Sequence, residues 1–137
     1  VRRIDRIVVH ASGDREGQDA TVRDLDRRFR ARGYFSIGYH HVIARDGTVH
    51  AGRPEERAGV QNDPHNRTAI GVAYVGGLDA AGKQAADTRT PEQRAALRAL
   101  LADLRRQHPE ASIHGRYYGG MPGHDPQFNP TEEYRDL

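Results

Sequence analysis

The sequence has no cysteine and a single lysine, Lys83. The first absence excludes disulfides and thiolate metal ligands, and it leaves the redox compartment unmarked. The second leaves nearly the whole basic complement to arginine, so chemistry that needs an ammonium group has one lysine to draw on. No run approaches the roughly 18 consecutive apolar residues of a membrane span, so no membrane partner is expected. The opening Val1-Arg2-Arg3-Ile4-Asp5 is charged and lacks an apolar stretch, so no secretory signal is read there and a soluble protein is expected. Internal repeats and low-complexity tracts are missing as well.

What is present suits a globular domain. The chain has 137 residues, 36% hydrophobic and 29% charged, enough to enclose a core, and we read one domain over 1–137. Basic residues number 21 against 19 acidic, a net charge of +2. That mild bias suits any anionic polymer and singles out none. In Arg23-Asp24-Leu25-Asp26-Arg27-Arg28 the signs interleave, as on a solvated helix face, and no nucleic-acid reading motif is present. Nucleic acid is therefore not expected as a partner, and a monomer is.

Local patterns place the elements. Ile7-Val8-Val9 reads as a buried strand. A helix begins at Thr21, whose spacing to Asp24 is that of a capping box; Val22, Leu25 and Phe29 share a face, and Gly33 is a stop. Tyr39 to Ala44 reads as a second strand, Asp46-Gly47 as a two-residue hairpin turn, and Thr48-Val49-His50 as the return. Residues 53–67 read as a surface loop. Ala69 to Val75 is the most apolar run and reads as a central strand ended by Gly76-Gly77, with 78–89 a second loop. Thr90, Pro91 and Gln93 open a second helix with an apolar stripe of Leu97, Leu100, Leu101 and Leu104, ended by His108-Pro109. Ala111 to Gly115 is a last strand, Gly119 to Gly123 a glycine-rich loop, and Pro130 to Leu137 a short helix. This order implies an α/β domain with a single mixed β-sheet flanked by helices.

Eight histidines are many for this length. His10 ends the first strand and opens into Ala11-Ser12-Gly13, where a ligand can face a cleft. His114 lies in the last strand, and Asp125 follows the glycine-rich loop. Two imidazoles and a carboxylate are a common catalytic zinc set that leaves a fourth position for water, whose pKa the metal lowers toward about 7. The three are far apart in sequence, so no short-range spacing joins them. Tyr39, beside such a site, offers a donor to a developing oxyanion. His40 and His41 point to opposite faces of a strand, one toward burial and the other toward the site.

Several motifs then occur in one order: Val8-Val9-His10-Ala11-Ser12, Gly38-Tyr39-His40-His41-Val42-Ile43, Arg45-Asp46-Gly47-Thr48-Val49, Ala51-Gly52-Arg53, and Ile70-Gly71-Val72-Ala73-Tyr74-Val75-Gly76-Gly77. Over roughly residues 4–129 the chain resembles the zinc amidase family that includes T7-type phage lysozyme and the peptidoglycan recognition proteins. The resemblance implies that His10 is the first zinc ligand, that Tyr39 assists catalysis, and that Asp125, in Asp125-Pro126-Gln127-Phe128, is the third ligand. Three positions depart from the family pattern. Gly115-Arg116 stands where the family usually has Gly-His, so the second ligand falls to His114, two residues earlier. Gly123 stands where many members have a catalytic lysine, and Arg116 or His124 is left to supply the positive or proton-donating group. The loop histidine that often follows the Gly-Arg motif is missing near Val60-Gln61.

The implied function is zinc-dependent hydrolysis of the amide between N-acetylmuramic acid and L-alanine in bacterial peptidoglycan. A phage or prophage endolysin, held in the host cytoplasm until its release to the cell wall, fits this reading. The alternative is a zinc-free peptidoglycan-binding module on the same fold, toward which Arg116 and Gly123 point.

Overall fold

The computed structural model describes residues 2–60, 65–115 and 125–137. In chain order its elements are β1 (Arg6–Ala11), β2 (Asp14–Arg15), α1 (Val22–Ala31), β3 (His41–Ile43), β4 (Val49–Ala51), β5 (Ala69–Tyr74), β6 (Gly77–Leu78), α2 (Pro91–Gln107), β7 (Ser112–Gly115) and α3 (Pro130–Glu133). The main sheet has the order β4-β3-β5-β1-β7. Its β3–β4 pairing is antiparallel and the others are parallel. The expected mixed sheet flanked by helices is thus the fold that forms. A parallel sheet covered on both faces has no solvent side, and β5, at its centre, is buried at all six residues. Its unbroken apolar run in the sequence has that cause.

The two faces carry separate cores. Ile7, Val9, Ile43, Ile70, Val72 and Tyr74 pack with Leu97, Leu101 and Leu104 of α2. On the other face Val42 and Val75 pack with Leu25 and Phe29 of α1. Both helices begin where local chemistry sets them. Thr21 caps α1 in a capping box with Asp24, and Thr90 caps α2 with Gln93, Pro91 following directly.

The structure corrects four local expectations. The hairpin loop has three residues, Arg45, Asp46 and Gly47: Gly47 N–H donates to Ala44 O, Ala44 N–H donates to Thr48 O, and only Gly47 has positive φ (+89°). A two-residue turn of the Asp-Gly type needs positive φ at both central residues, and Asp46 instead turns its carboxylate onto Thr48 N–H at 2.9 Å. The stretch 78–89 is not all loop, because Gly77–Leu78 pairs in parallel with Asp14–Arg15. The strand read over Tyr39 to Ala44 is confined to His41–Ile43, although His40 N–H still reaches Gly71 O. The last helix is one turn, Pro130–Glu133, after which Tyr134 turns into the α2-side core.

Gln93 does more than cap. It is fully buried; its Oε1 accepts from Thr90 N–H at 3.0 Å, and its Nε2 donates to Ile43 O and Val75 O, both at 3.1 Å. One amide thus ties the start of α2 to the ends of β3 and β5. Gln93→Met keeps the volume and removes all three bonds, stranding Thr90 N–H and Val75 O, while Ile43 O keeps Val75 N–H. At about 1 kcal/mol for each lost bond, it is expected to lower stability by about 3 kcal/mol in urea unfolding monitored by circular dichroism.

Candidate active site

The site forms at the C-terminal end of β1. Register places His10 beside Ala73, and Ala73 beside Val42, so all three share the α1 face of the sheet. His10 is 1% exposed. Its Nδ1 lies 2.7 Å from Asp125 Oδ2. The other carboxylate oxygen, Oδ1, accepts from Ala11 N–H. Ser12 N–H goes to Tyr74 O on β5, so Ala11 N–H turns to the other side of β1, toward β7. Asp125 therefore receives two adjacent residues of β1, one by backbone and one by side chain. Gly115 makes room for this approach, since a Cβ there would stand 2.8 Å from Pro126 Cδ and 3.1 Å from Asp125 O.

A carboxylate accepts, so in a neutral imidazole the Nδ1 facing Asp125 carries the proton and Nε2 the lone pair. That Nε2 is buried without a hydrogen-bond partner among the described residues. An imidazole nitrogen and a carboxylate oxygen converging at a strand end are donor types of a zinc site, and His10 and Asp125 are residues that would hold such a metal. Tyr39 adjoins them: its ring centroid is 5.2 Å from that of His10, and the Phe29 ring meets it edge-on at 5.3 Å. The structure thus brings His10, Tyr39 and Asp125 together.

His114 stands apart from these three. It pairs with Val8, which puts it on the His10 face, one strand over and two residues back. Strand geometry sets the two Cα atoms about 8 Å apart. Its Nε2 lies 2.6 Å from Ser112 Oγ. No group of three His, Asp or Glu side chains that could hold a metal forms among the described residues. Arg116 and His124 lie outside the described residues.

Of the two adjacent histidines, His40 is the buried one. Its Nδ1 accepts from Gly71 N–H at 2.9 Å, and its Nε2 donates to Arg57 O at 2.7 Å. His41 pairs with Val72, so it lies on the face opposite His10, where its Nε2 is 3.4 Å from Glu55. The expectation that one of the pair reaches the site is therefore corrected: neither contacts His10 or Asp125, because the pleat sends His41 to the α2 face.

Residues 1–133 match the family model described as N-acetylmuramoyl-L-alanine amidase. The chain belongs to that family. It is 41% identical over 108 residues to the endolysin of Klebsiella phage KP32, covering 79% of this chain and 71% of that one. It is 38% identical over 113 residues to the endolysin of Escherichia phage T7, covering 82% and 74%. The fold is similar, with a TM-score of 0.79 at 27% identity, to the N-acetylmuramoyl-L-alanine amidase LysC from Clostridium intestinale URNW, over 98% of this chain and 85% of that one.

In this amidase-family chain the surroundings of the site hold residues that sequence reading does not pick out. Asp14, 3% exposed, accepts from Arg28 of α1 at 2.6 and 3.2 Å and from Ser12 Oγ, while Ser12 Oγ accepts from Gly76 N–H at 3.0 Å. The hydrogen bonds to Asp14 raise the Arg28 pKa above its ordinary value against the opposing effect of burial. This network ties the turn after His10 to α1. Its only trace in sequence is an acid four residues beyond the strand-end histidine, which is too common to read.

His40 supplies a pH test of the backbone next to Tyr39. Burial, the largest cause, holds its pKa below the ordinary value of 6.5. The unfolded chain then binds a proton that the folded protein resists. The stability His40 contributes is whole above pH 6.5 and is lost as pH falls toward the lower folded value, with a slope of up to about 1.4 kcal/mol per pH unit. His40→Asn, whose Oδ1 can still accept from Gly71 N–H, is expected to flatten stability between pH 6.5 and 5 in urea titrations. An unchanged slope would show that His40 takes up its proton without strain.

Proposed function

We propose that this chain is a zinc-dependent N-acetylmuramoyl-L-alanine amidase that hydrolyses the amide between N-acetylmuramic acid and L-alanine in bacterial peptidoglycan. It acts as the monomeric endolysin of a phage or prophage, made in the host cytoplasm and released to the wall. The observation that carries this reading is the convergence of His10 Nδ1 and Asp125 Oδ2 at a strand end beside Tyr39. Family membership over residues 1–133 and the likeness to phage endolysins supply the reaction class.

His10 and Asp125 hold the metal, with His114 as third donor. Zinc, when bound, polarises the scissile carbonyl and eases ionisation of water toward neutral pH. Asp125 is kept in orientation by Ala11 N–H, as the partner of a metal-binding carboxylate commonly does. Tyr39, its ring fixed between His10 and Phe29, donates to the oxyanion that forms at the carbonyl. His124 holds the proton for the departing amine, and Arg116 adds positive charge in place of the absent lysine.

A second reading, a zinc-free peptidoglycan-binding module, is favoured by one observation: His114 Nε2 is engaged with Ser112 Oγ. Metal content separates the two. Stoichiometric zinc supports the enzyme, and a metal-free protein that still binds muropeptide supports the module.

Digestion of purified sacculi, with released fragments identified by mass, tests the reaction directly. Free stem peptides beginning with L-alanine are the expected product. His10→Ala is expected to lose zinc and lysis together while staying folded; undiminished digestion by it would sink the mechanism. Tyr39→Phe should keep zinc and slow turnover by on the order of a hundredfold.

The third ligand has its own test. A strand fixes a ligand better than a glycine-rich loop, and His124 adjoins Asp125, so His114 is the better placed to approach from another direction. His114→Ala is expected to lose zinc. His124→Ala is expected to keep zinc and lose rate. The reverse pattern in bound-metal assays would exchange the two roles.

A further inference from the structure

Asp125 opens a C-terminal segment with a single turn of helix, yet its carboxylate meets two residues of β1. Pro126 O accepts from the hydroxyl of Tyr74, a fully buried residue of β5, at 2.8 Å. Two residues on, the Phe128 ring lies under the Arg89 guanidinium, 3.4 Å from Cζ to ring centroid. The Arg89 side chain is wholly buried. It donates to Asp87 at 2.9 and 2.8 Å, to Glu133 at 2.6 and 2.9 Å, and to Tyr134 Oη at 3.0 Å. All five guanidinium N–H groups are thus used.

Arg89 directly precedes the cap of α2, whereas Phe128, Glu133 and Tyr134 all belong to the segment that Asp125 begins. A buried ion pair is weak ground for a stability role, because apolar residues of similar volume often serve as well or better. A guanidinium fork differs in fixing direction: each carboxylate is met by two N–H groups in one plane. Stacked on Phe128 and forked onto Glu133, Arg89 fixes the segment at two places on one side of Asp125, and Tyr74 fixes its next residue.

We propose that Arg89 is a positioning residue for Asp125, clamping Phe128 and Glu133 so that the carboxylate reaches Ala11 N–H and His10. Its consequence for metal affinity rests on the reading of Asp125 as a ligand; its consequence for Asp125 placement does not.

The test reads the two separately. Amide hydrogen exchange in the metal-free protein is followed by NMR for wild type, Arg89→Lys, Arg89→Met and Tyr74→Phe. In Arg89→Met the Ala11 amide is expected to exchange about tenfold faster or more, while Val9 and Val72 on the adjoining strands keep their protection. Arg89→Lys should fall between, since it retains charge and loses the fork. If Arg89→Met does not fold, Arg89→Lys decides, with a smaller but still selective rise at Ala11 expected, and Tyr74→Phe reads separately what the Pro126 tether adds. Ala11, Val9 and Val72 speeding up together would mean that Arg89 only staples the fold, and an unchanged Ala11 rate would equally overturn the proposal. Zinc affinity is measured on the same variants, with a loss of about tenfold or more expected. A selective rise at Ala11 with zinc affinity unchanged would uphold the positioning role and remove Asp125 from the metal site.

Discussion

The arrangement at the site depends on one carboxylate arriving at the end of one strand. Ala11 N–H points away from β5 and needs an acceptor; His10, one residue earlier, presents Nδ1 from the α1 face. Asp125 satisfies both with its two oxygens. An unmet buried N–H costs on the order of 1–3 kcal/mol, so the backbone of β1 itself draws the carboxylate in. The same contact that completes a strand therefore assembles the imidazole–carboxylate pair, and folding and site formation are coupled there. An alanine at position 125 would undo both at once, which makes activity alone a poor reporter of what Asp125 does.

The pleat puts the larger core and the His10–Tyr39 pair on opposite faces of the sheet. The α2 face holds the larger core, with Ile7, Val9, Ile70 and Val72 against three leucines of one helix. The α1 face has a smaller cluster around Leu25 and Phe29, and His10 and Tyr39 lie on that side. Period-two alternation along β1 puts Val9 into one core and His10 on the other face. A shift of one residue in register would bury the imidazole among leucines, so the pairing with β5 fixes the place of His10 as strictly as it fixes packing.

What the sequence reveals follows from how local its cause is. Both helix caps are legible because each involves residues three apart, and β5 is legible because burial on both faces leaves an unbroken apolar run. His10, Tyr39 and Asp125 are read from motifs in a familiar order, not from any spacing that implies contact. The hairpin is misread because Asp-Gly fits loops of two and of three residues, and only backbone dihedrals distinguish them. The β2–β6 pair, the Asp14–Arg28 link and the Arg89–Glu133 pair join positions that no local pattern connects. The His40–His41 pair is misread for a related reason: alternation shows that two neighbours part company, and only register shows that His41 lies on the face opposite His10.

The route of the C-terminal segment explains why a carboxylate can serve this site from the opposite side of the sheet. Phe128 and Tyr134 pack on the α2 face with Tyr74 and Leu97, whereas Asp125 meets His10 from the α1 face. The chain must therefore round the sheet beside β7 within the few residues between Asp125 and Phe128, and Gly115, with no Cβ to obstruct Pro126, marks where it passes. Rigidity for the site is drawn from the heavier core, through a phenyl ring and a buried guanidinium, and carried to the face where packing is lighter. A carboxylate anchored this way takes its direction from the heavier core, so its contacts with His10 and Ala11 N–H do not rest on the lighter packing of the α1 face.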